Sequence, residues 1–296
     1  MNSTTQNPVI TTEQETALQV VSKYQPSVRQ RFLKHQALDP AFANAWLRYT
    51  YRILGRDVLD TRTRLLVMTG QFSMSRRHGP LRETLTAAVE QGVNLNEVME
   101  VILQTAIYGG VPVADEALDI FIDVVDRAGR LDEVKRNGLQ VGQRAAERSL
   151  EEERALWHPE DAADPRADLL MEKYGWAGIS IALLLRPQHT LNNATFLGEL
   201  DEDYTQAFYD FGYDDMYGRQ VLDHKTRLLC MVGNTLAIGE IVQTKHHMRT
   251  ALRQGATPRE VLEVLIQSIP AVGHPNIVPE RFKDLAAIVK EEGKSF

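Results

Sequence analysis

Residues 55–112 read GRDVLDTRTRLLVMTGQFSMSRRHGPLRETLTAAVEQGVNLNEVMEVILQTAIYGGVP, and residues 218–275 read GRQVLDHKTRLLCMVGNTLAIGEIVQTKHHMRTALRQGATPREVLEVLIQSIPAVGHP. Laid over each other without a gap, they keep a constant offset of 163 from Gly55/Gly218 to Pro112/Pro275. Gly-Arg-x-Val-Leu-Asp recurs, as do Thr-Arg-Leu-Leu, the pairs Met68/Met231 and Gly70/Gly233, Gln-Gly at Gln91 and Gln254, and Glu-Val-x-Glu-Val from Glu97 and Glu260. Gln104, Gly110 and Pro112 return as Gln267, Gly273 and Pro275. Self-similarity held in one register through so many positions marks a duplication.

Each copy has helical periodicity. Asp60 and Asp223 precede apolar runs and suit N-caps, where a carboxylate satisfies free amides. Gly92 and Gly255 suit the left-handed C-cap of a following helix. Asn94 with Glu97, and Thr257-Pro258 with Glu260, open another; the latter has capping-box spacing with Pro at the first helical position. Its apolar stripe, Val98, Val101, Ile102 and Val261, Val264, Leu265, faces a core. Pro112 and Pro275 are expected to break the next stretch of helix. Strand alternation is not sustained anywhere, so the expected fold is all-α.

The 296 residues suffice for two domains with real cores. Hydrophobic content of 43% and charged content of 25% are globular values. No apolar run reaches the roughly 18 residues of a spanning helix. Met1 to Thr12 lacks the layout of a secretory signal and reads as a disordered lead-in, and the expected location is cytoplasmic. A net charge of −7 argues against nucleic acid as a partner. The single cysteine, Cys230, excludes a disulfide framework and a CxxC pair, and it sits on an apolar stripe as a core residue would.

Between the copies, Leu131 to Trp157 is charge-rich and helical in pattern, with Glu151 to Arg154 a solvated face. Pro159 to Pro165 is the linker candidate. The expected organisation is a first unit over 1–130, a charged connector over 131–165 and a second unit over 166–296.

Leu-Asp-x-x-Thr-Arg-x-Leu, a helix ending in Gly, then Glu-Val-x-Glu-Val-x-x-Gln-x-x-x-Tyr-Gly-Gly-Val-Pro resembles the carboxymuconolactone decarboxylase family, which shares the alkylhydroperoxidase D-like fold. Residues 97–112 look like the family's tail, and His247 to Gly255 look like its His-containing helix. Asn137 to Ser149 resembles the helix that opens free-standing decarboxylases of the family. The resemblance implies two tandem helical units, active sites where helices of neighbouring units meet, and ring assembly. A two-unit chain would then form a homotrimer that is a pseudo-hexamer.

The chemistry the resemblance implies centres on Glu240 to His247. On a helix, Glu240, Gln243 and His247 share a face. In the redox branch of the superfamily, positions 240 and 243 would be the two cysteines of a CxxC. Here a thiol peroxidase is excluded for want of the thiolate. The decarboxylase branch uses a histidine with acidic residues nearby and no cofactor. Loss of CO₂ beside an unsaturated lactone needs an electron sink in the substrate and an acid to reprotonate carbon, a step that suits histidine. The expected catalytic residues are His247 as general acid/base, Glu240 to orient it, and His246. Arg227 or Arg249 would hold the substrate carboxylate, with His274, Tyr108, His78 and Arg77 as further binding groups.

Each has a plain structural alternative: a satisfied helix histidine at 247, a solvated carboxylate at 240, ion pairs for Arg64 and Arg227, a turn histidine at 274. No metal is expected. His246 and His247 project about 100° apart, and Glu240 and His247 are roughly 10.5 Å apart along the axis. The halves also differ: Thr84 stands opposite His247, Arg77 opposite Glu240, and Ala271 opposite Tyr108. One explanation is a composite site, with His247 from one half and Tyr108, His78 or Arg77 from the other. The alternative is a first half serving only as scaffold. The expected function is a lyase on a small carboxylated unsaturated lactone or ring-cleavage product. The alternatives are an isomerase on a related carbonyl compound and a non-catalytic ring-forming scaffold or ligand binder.

Overall fold

In the computed structural model, the described residues are 10–136, 151, 154–155, 157, 159–185, 190–219 and 221–296, and no strand occurs among them. The Asn137 to Ser149 segment therefore lies outside the described residues, as do Glu152 and Glu153.

Three helices, α1 (Thr12–Ser22), α2 (Val28–Leu38) and α3 (Pro40–Leu54), precede the first repeat. The repeat supplies α4 (Thr61–Met74), α5 (His78–Glu90), α6 (Leu95–Leu103), the single turn α7 (Ala106–Gly109) and α8 (Val111–Arg127). After α9 (Leu131–Arg136) come α10 (Pro159–Ala163), α11 (Arg166–Tyr174), α12 (Trp176–Leu185), α13 (Thr190–Leu200) and α14 (Glu202–Tyr209). α14 runs into a π-helical segment, Asp210–Tyr217. The second repeat supplies α15 (His224–Ala237), α16 (Ile241–Arg253), α17 (Pro258–Val272), a 3₁₀ turn (His274–Asn276) and α18 (Glu280–Glu291).

The predicted caps are present. Asp60 accepts from the Thr63 amide at 2.6 Å and Asp223 from the Thr226 amide at 2.8 Å. Thr257 and Glu260 close a full capping box. Gly92 and Gly255 have φ of 69° and 91°, a region a side chain would strain. Three local expectations need correction. Thr11 caps α1 and Thr12 begins it, so the helical chain starts inside the expected lead-in. The expected linker is helical over Pro159–Ala163. Pro112 opens α8 rather than breaking it, since the first helical turn needs no amide donor there.

The duplication is longer than the identities show. α4 and α5 map onto α15 and α16 at the offset of 163. Upstream, α2 (28–38) maps onto α13 (190–200) at 162, and the N-caps Asp39 and Asp201 keep that spacing. The difference is one residue, and it falls where α3 is replaced by α14 plus the π-helical segment. A π turn is how a helix absorbs one inserted residue without moving its ends.

At the centre, α4 packs on α15. A Cβ on Gly70 would lie 2.0 Å from Asn234 Oδ1, and one on Gly233 would lie 2.9 Å from Val67. Two equivalent glycines thus let the two helices touch across a pseudo-twofold axis. Buried ion pairs repeat the relation. Arg64 of the first copy bonds Glu263 of the second at 2.9 Å, and Arg227 of the second bonds Glu100 of the first at 2.8 Å; all four side chains have no exposure. Arg64 also donates to Gln267 and the Arg56 carbonyl, and Arg227 to Gln104 and the Arg219 carbonyl. The repeats therefore interlock, and one continuous apolar core runs from Ala17 to Val289.

Candidate functional site

α16 starts after Gly239, whose φ is 74°. The buried Thr244 hydroxyl lies 2.9 Å from the Thr235 hydroxyl on α15 and 2.7 Å from the Glu240 carbonyl, which pins the start of α16 to the central helix. One turn on, His247 is 1% exposed. Its Nε2 lies 3.0 Å from the hydroxyl of Tyr108, which comes from α7 of the other repeat. The two rings meet edge to face, with centroids 5.5 Å apart and planes at 88°. Tyr108 is held by the turn that Gly110 ends, at φ 80°.

The phenol hydroxyl is also 3.4 Å from Gln243 Oε1. It has one proton. Donated to Gln243, it leaves the phenol oxygen to accept from Nε2–H; donated to Nε2, it makes the imidazole the acceptor. A sheltered phenol–imidazole pair with two proton arrangements can give or take a proton at one point. In the same repeat-to-repeat core, Gln104 Nε2 and Asn234 Oδ1 are buried without a hydrogen-bond partner among the described residues.

The other expected residues do not gather there. Glu240 is exposed at the N-cap of α16, and its side chain makes no cap bond; two turns of helix separate it from His247. His246 is half-buried and projects about 100° away around the helix. Arg227 is consumed by Glu100, Gln104 and the Arg219 carbonyl, so it is structural and not a substrate ligand. Arg249 bonds Glu291 and Glu292 and fastens the C-terminal end. His274 stands on the surface, its Nε2 2.9 Å from the Tyr49 hydroxyl, a phenol that burial holds above its ordinary pKa. His78 is exposed beside Glu116 at 3.3 Å. Cys230 is in the core, where burial pushes its thiol up to about 12. No cluster of His, Cys, Asp or Glu suited to a metal occurs among the described residues.

Arg77 belongs to a different place. The pseudo-equivalent of the His247 site is a cavity of about 160 Å³ that includes Thr84, Arg77 and Ala271, the counterparts of His247, Glu240 and Tyr108. Its remaining wall comes partly from helices before the repeat, with Arg31 and Trp46. Sequence reasoning missed those two because they lie outside the gap-free repeat. Gln243 was visible only as a lost cysteine position; its contact with Tyr108 depends on packing between copies.

The model of the carboxymuconolactone decarboxylase family matches residues 40–123 and 202–280, more than half of the chain. A 4-carboxymuconolactone decarboxylase of Acinetobacter baylyi is 23% identical over 117 residues, 38% of this chain and 87% of that protein. A crystal structure from Burkholderia xenovorans, of a proposed gamma-carboxymuconolactone decarboxylase subunit, superposes with a TM-score of 0.55 at 18% identity. That alignment covers 97% of this chain and all of the other. The second likeness concerns the fold.

Proposed function

The chain belongs to the carboxymuconolactone decarboxylase family, and from that premise we propose that it is a cofactor-independent lyase acting on a small carboxylated unsaturated lactone. The observation that carries this reading is the buried His247 imidazole 3.0 Å from the Tyr108 hydroxyl of the other repeat. In the reaction, the bond between the ring carbon and the carboxylate breaks. Its electron pair moves into the conjugated lactone carbonyl, and CO₂ leaves. The resulting dienolate takes a proton at carbon from His247, and Tyr108 holds the ring in the orientation that supplies it. The relative's name supports the reaction class.

The test is turnover of carboxylated muconolactones, followed by CO₂ release and loss of lactone absorbance. His247→Ala should lower kcat by about a hundred- to ten-thousand-fold. Tyr108→Phe should lower it less and shift the alkaline limb of the pH profile, where the proton donor titrates. Wild-type rates in His247→Ala would end the assignment.

We also infer that the chain assembles as a homotrimer. Exposed apolar side chains recur at the 162 offset: Leu38 and Leu200, Phe42 and Tyr204, Tyr49 and Phe211. The same apolar patch on both halves suits a ring in which one half's patch meets the other half of a neighbour. Light scattering should give three times the 33.4 kDa chain mass, and Leu38→Asp with Leu200→Asp should reduce it to one.

A further inference from the structure

The cavity facing Thr84 has lost the imidazole and the phenol of its counterpart, yet it has not filled in. Its volume of about 160 Å³ is close to that of a cavity that takes benzene. Its polar groups are set out as a receptor. Glu83 lies 3.0 Å from Arg31 and also accepts the Ser27 amide and hydroxyl. Gln25 accepts from a second Arg31 contact at 2.6 Å, and the guanidinium sits 5.6 Å from the Trp46 ring centroid. Arg31 is thus fixed in place, and its Nε is buried with no hydrogen-bond partner among the described residues.

Two amides reach the same wall with an atom to spare. Gln267 Oε1 accepts from Arg64, so its orientation is set by the network and the buried donor Nε2 is left over. The Ser268 hydroxyl already donates to the Val264 carbonyl, so the Gln71 atom beside it must be Nε2, which leaves Oε1 without a partner among the described residues. Unmet buried polar atoms are costly unless something answers them. The charge balance says what that would be. Glu83 neutralises Arg31, while Arg77 has no ion pair among the described residues, since Glu116 is engaged by Arg76 and His78. The cavity carries one uncompensated positive charge.

We propose that this first-half cavity is a second ligand site, separate from His247, for a small monocarboxylate with a flat apolar body. The carboxylate lies between Arg77 and the Nε of Arg31, and the body lies along Trp46 towards Ala271. Thr84 offers a hydroxyl but no group that titrates near neutrality, so the site binds and does not turn over.

Benzoate is the probe, measured by calorimetry on the full chain. Binding to wild type should weaken at least tenfold in Arg77→Ala, with Arg77→Lys restoring part of it. It should also weaken at least tenfold when the neutral methyl benzoate is used, and it should persist in His247→Ala. Arg77 is exposed, so its variants should keep the wild-type melting temperature; Ala271→Phe, which fills the cavity, gives an independent loss. Absence of benzoate binding to wild type, affinity within twofold of wild type in both Arg77→Ala and Ala271→Phe, or binding lost only in His247→Ala would overturn the proposal.

Discussion

The two cross-repeat sites of this chain are built on the same frame and hold different groups. On the frame, Arg64–Glu263 and Arg227–Glu100 are related residue for residue, with the same glutamine and carbonyl acceptors around each. At the two sites, His247 and Tyr108 correspond to Thr84 and Ala271 across the pseudo-axis, and Glu240 is replaced by Arg77. The contrast separates two constraints. A buried ion pair resists single changes, because removing one partner strands the other's charge away from water. A neutral side chain that shortens loses packing but strands no charge, so the fold tolerates the change better while the chemistry is altered.

The sharpest way to break the comparison is to give the second site the groups of the first. His247→Thr with Tyr108→Ala should lower turnover of a carboxylated lactone by about a hundred- to ten-thousand-fold, with the helical circular dichroism retained. His78→Ala, a change at an exposed surface pair, should leave turnover at the wild-type rate. A double variant as active as wild type would put the chemistry elsewhere.

The frame makes a second demand, one of symmetry. Glu100→Gln and Glu263→Gln should each cost about 3–5 kcal/mol in urea unfolding, because each leaves a fully buried guanidinium uncompensated. Agreement to within about 1 kcal/mol is expected, a margin set by the scatter of mutational data. A large loss from only one of them would mean that the halves are not energetically equivalent.

How much of the molecule is legible in its sequence depends on where the information sits. The all-helical fold, the caps at Asp60, Asp223 and Thr257, and the glycine stops at Gly92 and Gly255 are local, so spacing reveals them. The role of Arg227 stays open between ion pair and ligand, and the ion pair expected of Arg64 has no named partner, because Glu100 and Glu263 lie in the opposite repeat. The same holds for Tyr108, which the sequence offers as a partner for His247 alongside His78 and Arg77. Only packing separates the three, bringing Tyr108 in, placing His78 on the surface and sending Arg77 to the first-half cavity. The wider duplication is hidden by the single residue absorbed in the π-helical segment, which puts α2 and α13 out of register with the downstream repeat.

A smaller effect sharpens the account of the central crossing. Gly70→Ala and Gly233→Ala each insert a methyl between α4 and α15, and overpacking of this kind costs about 1–3 kcal/mol. Gly233→Ala should be the worse of the two, since its Cβ meets the Val67 side chain at 2.9 Å and Gln71 at 3.0 Å. The clash from Gly70 is mainly with the Asn234 amide, which can turn aside. Equal and negligible losses by thermal unfolding would show that the helices can separate freely there.

The smallest expected effect lies where the halves stop corresponding. Glu292 bonds Arg249 at 2.9 Å and Arg253 at 2.9 Å and ties the end of α18 to α16. The equivalent positions 86, 90 and 129 hold Thr86, Glu90 and Gly129, so the first repeat has no such clamp. Burial raises the Glu292 pKa, but hydrogen bonds from Arg253 and Arg249 outweigh it and hold the carboxyl below its usual 4.5. A carboxyl depressed in the folded state stabilises the fold above its unfolded pKa and loses that contribution as pH falls through the folded value. Glu292→Gln should therefore cost about 1 kcal/mol at pH 7, a modest figure because the pair is partly solvated. The gap between variant and wild type should hold down to about pH 5 and close below about pH 4. Denaturant midpoints across that range would measure it, and a gap that widened in acid would reverse the assigned sign.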